Sequence, residues 1–106
     1  FSVGPEPGLD RMEGRMTFLI ENRPDPFGGR TTIHFRTGKA GPVRIEIYNV
    51  CGRKIATLLD RCLVADAYTV SWDGTTDIGG DAPGGVYFCR LIAGSECLTD
   101  KMVLMK

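Results

Sequence analysis

No segment of this 106-residue sequence holds the ~18 consecutive apolar residues that a membrane-crossing helix needs, so a helical span is excluded at the outset. An excess of either charge is missing as well. Thirteen Lys and Arg balance thirteen Asp and Glu, for a formal net charge of zero. Without a basic footprint, nucleic acid and anionic membrane surfaces are not expected partners. Histidine is reduced to His34. The four cysteines, Cys51, Cys62, Cys89 and Cys97, contain no pair with the two-residue gap of a zinc knuckle or a redox dithiol, so no metal site is expected from them. Repeats and low-complexity tracts are also absent.

What is present is an ordinary globular composition. Hydrophobic residues make up 42% and charged residues 25%, enough to build one core and too short a chain for two. Fourteen Gly and six Pro cluster between apolar runs, which implies many short elements joined by turns. A chain that opens on Phe1 reads as a piece of a longer protein, and residues 1–17, which show no sustained period, read as a linker or the tail of an upstream domain.

Further along, Pro24 and Pro26 bracket Asp25 and stiffen a turn, with Phe27 available to plug a core. Ile33 and Phe35 alternate with Thr32, His34 and Arg36, the period-two signature of a half-buried strand. Val43, Ile45 and Ile47 alternate in the same way, and Val50 breaks the phase, predicting a bulge or a change of sheet near Asn49. Gly52 supplies positive φ for a hairpin. Residues 53–64 carry apolar spacings that also suit a helix face, but the surrounding hairpin chemistry makes a strand over 54–59, followed by a loop, the consistent reading. Tyr68, Val70 and Trp72 share a face, with the sole tryptophan expected to anchor the core. A polar, Gly-rich loop follows, then the two-sided apolar strand "VYFCRLIAG", a hairpin turn and a last strand. Together these predict an all-β fold, an antiparallel β-sandwich of about seven strands.

Chemistry is sparse in this frame. His34 falls on the predicted solvent face with no nucleophile placed beside it by motif. Asp73, Thr75, Asp77 and Asp81 share one loop and invite a calcium site, but Ile78 stands at the Gly position of an EF-hand loop and Gly84 at its bidentate Glu. Loop capping is the expected role of these aspartates. "GKAGPVR" lacks the ending of a phosphate loop, and "GGDAPGG" precedes a strand rather than a helix. No enzyme, no cofactor and no catalytic cysteine are expected. The cysteines allow two disulfides in three ways, and Cys89, lying in an apolar run, suits a buried thiol as well as a bond.

Five runs in order, "FLIENRPDPFGGRTTIHF", "GPVRIEIYNVCGRKIATL", "YTVSWDGTTDIGG", "GGVYFCRLIAG" and "KMVLMK", resemble the immunoglobulin-like domains at the C-termini of many secreted bacterial proteins. These domains are similar to the flagellar hook-capping (FlgD-like) immunoglobulin domain, and many are C-terminal sorting domains of the type IX secretion system. The resemblance covers residues 18–106 and implies an immunoglobulin-like sandwich. Asn22, Pro24, Asp25, Pro26 and Phe27 match an Asn-x-Pro-Asn-Pro-Phe segment, with Asp25 replacing Asn while keeping a turn-forming side chain. Gly52 and Arg53 match the family's hairpin, Trp72, Asp73 and Gly74 its Trp-Asp-Gly corner, and Gly85, Val86 and Tyr87 the start of its penultimate strand. Lys101, Met102, Val103, Leu104 and Lys106 match the ending that the secretion machinery is thought to read. Two features depart from the family: Gly28 and Gly29 replace a frequent Asn-Pro, and none of the cysteines is a hallmark.

The resemblance implies a noncatalytic module for secretion sorting or cell-surface attachment of a larger bacterial protein. Its partners would be proteins, either the secretion machinery or neighbouring subunits, with no membrane insertion. Its location would be extracellular or at the bacterial surface, after passage through the periplasm. Two other readings stand beside it. One is a structural or assembly module packing against neighbouring subunits of a surface complex or filament. The other is a carbohydrate- or protein-binding accessory domain, whose loops between Trp72 and Gly85 would need an aromatic platform from Tyr48, Tyr68 or Tyr87.

Overall fold

The computed structural model describes residues 18–23, by their backbone, and residues 28–105. The predicted linker over 1–17, the stiff turn over 24–27 and Lys106 lie outside the described residues. The elements are β1 (Phe18–Arg23), β2 (Thr31–Thr37), β3 (Gly41–Asn49), β4 (Lys54–Leu63), β5 (Asp66–Trp72), β6 (Gly85–Ala93) and β7 (Glu96–Leu104). They form two antiparallel sheets, one ordered β1-β2-β5 and the other β4-β3-β6-β7. The sheets face each other, with β1 approaching β7 and β5 approaching β4.

Period-two patterning explains which side chains meet between the layers. Ile33 and Phe35 of β2 and Trp72 of β5 face Val43, Ile45 and Ile47 of β3, Tyr87, Cys89 and Leu91 of β6, and Met102 and Leu104 of β7. Phe35 stacks on Tyr68, with ring centroids 5.6 Å apart, and Tyr87 meets Trp72 edge-on at 5.3 Å. Thr31 and Thr37 close the ends of the β2 stripe and are themselves buried, and the Thr37 hydroxyl donates to the Val64 carbonyl at 3.2 Å. Burying a hydroxyl this deeply requires such a partner.

One local expectation is corrected. The strand starting at Lys54 runs to Leu63 instead of stopping at Leu59, because residues 59–63 pair with Gly41, Pro42, Val43, Arg44 and Ile45 at the start of β3. Its helix-like spacing arises from a bulge that shifts the inward phase within β4. The bulge expected near Asn49 is present as a register shift of β3 against β4 between Ile47 and Tyr48, with a second between Ile45 and Glu46, and Val50 itself stands in the turn. Residues 18–23, to which the sequence patterning assigned no element, form a strand paired with β2, with a bulge between Leu19 and Glu21. The hairpin at Gly52 forms as predicted: Gly52 has φ +83°, and Asn49 Oδ1 accepts from the amides of Cys51 and Arg53, both at 3.0 Å.

Candidate functional site

The segment matched to a sorting signal lies in β7, which pairs with β6 from Gly85 opposite Leu104 to Ala93 opposite Glu96. In its sheet β7 is an edge strand, so one side of its backbone faces no neighbouring strand of that sheet. Strand alternation divides the matched residues between two environments. Met102 and Leu104 point inward and are buried at 0% and 2% exposure, whereas Lys101 is exposed and Val103 half-buried on the outer face. Lys106 lies outside the described residues. Asp100 takes an inward position opposite Cys89, a placement that discourages indiscriminate strand addition at a sheet edge.

The Trp-Asp-Gly corner supports β7 from the other layer. Trp72 is 1% exposed and its indole N–H donates to the Thr75 carbonyl at 2.9 Å. Asp73 Oδ1 accepts from the Thr75 amide at 3.1 Å and hydroxyl at 2.6 Å, and that hydroxyl, followed by the amide, holds the carboxyl below its ordinary pKa. Gly74 takes φ +83°, open to glycine at little cost, and a Cβ there would stand 3.7 Å from the Leu104 side chain. The Gly74 carbonyl accepts from the Ala82 amide at 2.8 Å, while Thr75 and Asp81 form an isolated bridge. Asp77 Oδ1 accepts from the Thr57 amide at 3.0 Å, tying the loop to β4. Asp73 and Asp77 thus act as caps, the role expected for them. At the far end of the loop, the Tyr87 hydroxyl donates back to the Pro83 carbonyl, so Gly85, Val86 and Tyr87 open β6 with the loop fastened to them.

The outer face of the four-stranded sheet carries a group that the sequence reading passes over. Glu46 alternates outward between Ile45 and Ile47, yet is only 2% exposed. Arg44 Nη1 lies 3.1 Å and Lys54 Nζ 3.8 Å from Glu46 Oε2, and the Tyr48 hydroxyl donates to Oε1 at 2.7 Å. Burial pushes the Glu46 carboxyl up, but the hydrogen bonds from Tyr48 and Arg44 and the Lys54 charge outweigh it and leave the pKa lowered. The signal in the sequence is the spacing of Arg44, Glu46 and Tyr48, every second residue on one strand face. Arg90 lies next to this group, its guanidinium 5.6 Å from the Tyr48 ring centre and its Nε donating to Cys97 Sγ at 3.0 Å.

The remaining candidates disperse. His34 sits half-buried on the other sheet, in register with Glu21 and Thr69. Cys51, Cys62 and Cys97 are exposed thiols, and Cys89 is a buried one whose pKa, mainly through desolvation and also through the Asp100 charge, is pushed up to about 12. Such a group is a small hydrophobe rather than a nucleophile. Tyr87 is committed to Trp72, Tyr68 to Phe35, and Tyr48 to Glu46 and the Arg90 guanidinium over its ring.

Among solved structures, the chain is similar in fold to dimeric latent PorU from Porphyromonas gingivalis, with a TM-score of 0.63 and 22% identity, over 85% of this chain and 9% of that chain. The chain therefore spans a small fraction of that protein's length. No family model matches the sequence, and no curated protein does.

Proposed function

We propose that this chain is a noncatalytic immunoglobulin-like module that sorts a larger bacterial protein for export or holds it at the cell surface. The immunoglobulin-like reading is supported by the order β1-β2-β5 facing β4-β3-β6-β7, and by the Tyr87 hydroxyl reaching back to the Pro83 carbonyl two residues before Cys89, the arrangement of a tyrosine corner. The fold likeness to one segment of PorU, together with the ordered sequence motifs, supports a link to type IX secretion. Three of the acidic groups are engaged structurally, Glu46 by two cations and a phenol, Asp73 and Asp77 by loop and strand amides, which supports a binding role over a catalytic one.

One observation carries the sorting reading. In the last strand of its sheet, the matched segment is anchored by Met102 and Leu104 while Lys101 remains exposed, so a receptor can read the exposed side chain without unfolding the domain. Deleting residues 101–106 from the parent protein is expected to stop surface delivery while upstream domains still fold. Lys101→Ala, which leaves the core filled, is expected to reduce it. Normal delivery of both variants overturns the reading. An assembly module is the second reading, favoured by a further edge strand, β4, with Asp60, Arg61 and Cys62 exposed. Concentration-dependent oligomers that vanish on Arg61→Glu would support it.

A further inference from the structure

The chain is neutral as a whole, but its charges are sorted by place. Residues 73–84, in the loop between β5 and β6, hold Asp73, Asp77 and Asp81 and no basic residue. All three are exposed, and none forms an ion pair among the described residues. Between the last two stands Ile78, 96% exposed. Its backbone is held in place. The Thr76 amide donates to the Gly80 carbonyl at 2.8 Å and the Gly79 amide to the Thr76 carbonyl at 2.9 Å. The preceding Asp77 is pinned to β4 by its own amide, which donates to the Ile55 carbonyl at 2.9 Å, and by the Thr57 amide on its carboxylate. A lone exposed aliphatic residue is ordinary, but one fixed on a tied turn between carboxylates is a preformed knob.

The outer face of the four-stranded sheet offers the complement. Register sets Tyr48, Phe88 and Lys101 in one row across β3, β6 and β7, with Arg90 and Thr99 in the next. Tyr87, Cys89, Leu91 and Met102, which alternate with them, are buried, so these rows face outward. Tyr48, Val50, Phe88, Arg90 and Thr99 line a shallow cleft of about 270 Å³, in which Val50 is exposed and Phe88 half-buried. Arg44 and Lys54 are matched to Glu46, whereas Arg90 and Lys101 are exposed and form no ion pair among the described residues. Arg90 is fixed by Tyr48 on one side and Cys97 on the other. An apolar cleft edged by cations and an apolar knob edged by carboxylates thus stand on one chain. The near-complete exposure of Ile78 shows that it does not fill the cleft of its own chain.

We propose that the Ile78 loop of one copy docks in the cleft between Val50 and Phe88 of a second copy, with Asp77 and Asp81 facing Arg90 and Lys101, so that copies join head to tail. This names a contact for the assembly reading and rests on that reading for its biological setting. Knob and cleft are different surfaces, so the contact is heterologous, and each added copy leaves one knob and one cleft free. A single aliphatic anchor with a charged rim makes a contact of the weak, reversible class, in which charge selects the partner.

The test is sedimentation equilibrium of the 106-residue chain with reductant present, so that Cys51, Cys62 and Cys97 form no cross-links. The average mass rises with concentration past that of a dimer, and added salt weakens the assembly. Ile78→Ser, which removes the knob, and Val50→Asp with Lys101→Glu, which spoils the cleft, each weaken association by about tenfold or more. Mixed in equal amounts, the two variants pair through the one intact knob and the one intact cleft, and stop at a dimer. The three positions are exposed, so an unchanged urea midpoint verifies the fold of each variant. A wild-type chain that stays monomeric up to about 1 mM, variants that assemble like wild type, a mixture that stays monomeric, or assembly seen only without reductant overturns the inference. A monomeric chain that binds a peptide of alternating Glu and Leu gives the cleft to another acidic partner and equally overturns it. Oligomers lost on Arg61→Glu but kept on Ile78→Ser overturn this contact while supporting assembly through β4, so the two failures are distinguishable.

Discussion

Met102 and Lys101 are adjacent in sequence and opposite in environment, and exchanging either for alanine tests the register on which the site depends. Met102 is fully buried opposite Tyr87, while Lys101 is exposed opposite Phe88. Truncating a buried Met removes its transfer free energy and leaves a partly collapsed cavity, at a cost of about 2–5 kcal/mol. An exposed Lys with no ion pair among the described residues changes stability by no more than about 0.5 kcal/mol. With a urea dependence of about 2 kcal/mol per molar for a domain of this size, Met102→Ala should lower the unfolding midpoint by roughly 1–2.5 M, and Lys101→Ala by roughly 0.25 M at most. Trp72, buried and the sole tryptophan, reports the transition by fluorescence, with circular dichroism at far-ultraviolet wavelengths as a second probe. A one-residue slip of β7 against β6 would exchange the two environments, since every side chain would turn to the opposite face. A stable Met102→Ala and a destabilised Lys101→Ala would therefore refute the register. The same arithmetic governs export experiments: a delivery defect in Met102→Ala reports a loosened fold, whereas one in Lys101→Ala reports recognition.

Three further outcomes follow from the packing. Tyr87→Phe keeps the ring against Trp72 but leaves the Pro83 carbonyl without its donor, and should cost about 1–2 kcal/mol in urea unfolding; a neutral effect would show that water replaces the hydroxyl. Because the folded-state pKa of Glu46 is lowered, its ionised form adds stability above pH 4.5, the ordinary value for the group, and that contribution is lost as pH falls through the folded value. Glu46→Gln should accordingly flatten the acid limb of the stability profile, and an unaltered limb would contradict the network; Arg44 and Lys54, about half exposed, remain hydrated in that variant. Finally, an aromatic disulfide reagent should modify Cys51, Cys62 and Cys97 in the native protein and Cys89 only after denaturation, with prompt labelling of all four as the refuting result.

Much of the fold was legible because strand patterning is local. The alternations over Ile33 and Phe35, over Val43, Ile45 and Ile47, and over Tyr68, Val70 and Trp72 assign inner faces that the structure buries or half-buries. The positive φ of Gly52 and the capping roles of Asp73 and Asp77 were likewise readable from residue type and position. The candidate site was legible only as a string of matched residues. That string did not say that Met102 and Leu104 belong to the core and Lys101 to the surface, and the Glu46 network stayed hidden because its buried carboxylate occupies a position whose alternation reads as solvent-facing.

The chain's own order of apolar and polar residues, with its glycines and prolines, determined that it forms short strands and where most of them turn, since both depend on steric preferences within a few residues. Tertiary structure decided how far β4 extends, that residues 18–23 become a strand, which strands come last in their sheets and where Arg90 comes to lie between Tyr48 and Cys97. Those outcomes depend on backbone groups and charges brought together from distant parts of the sequence, and pairing between strands 40 or so residues apart leaves no periodic trace in either partner.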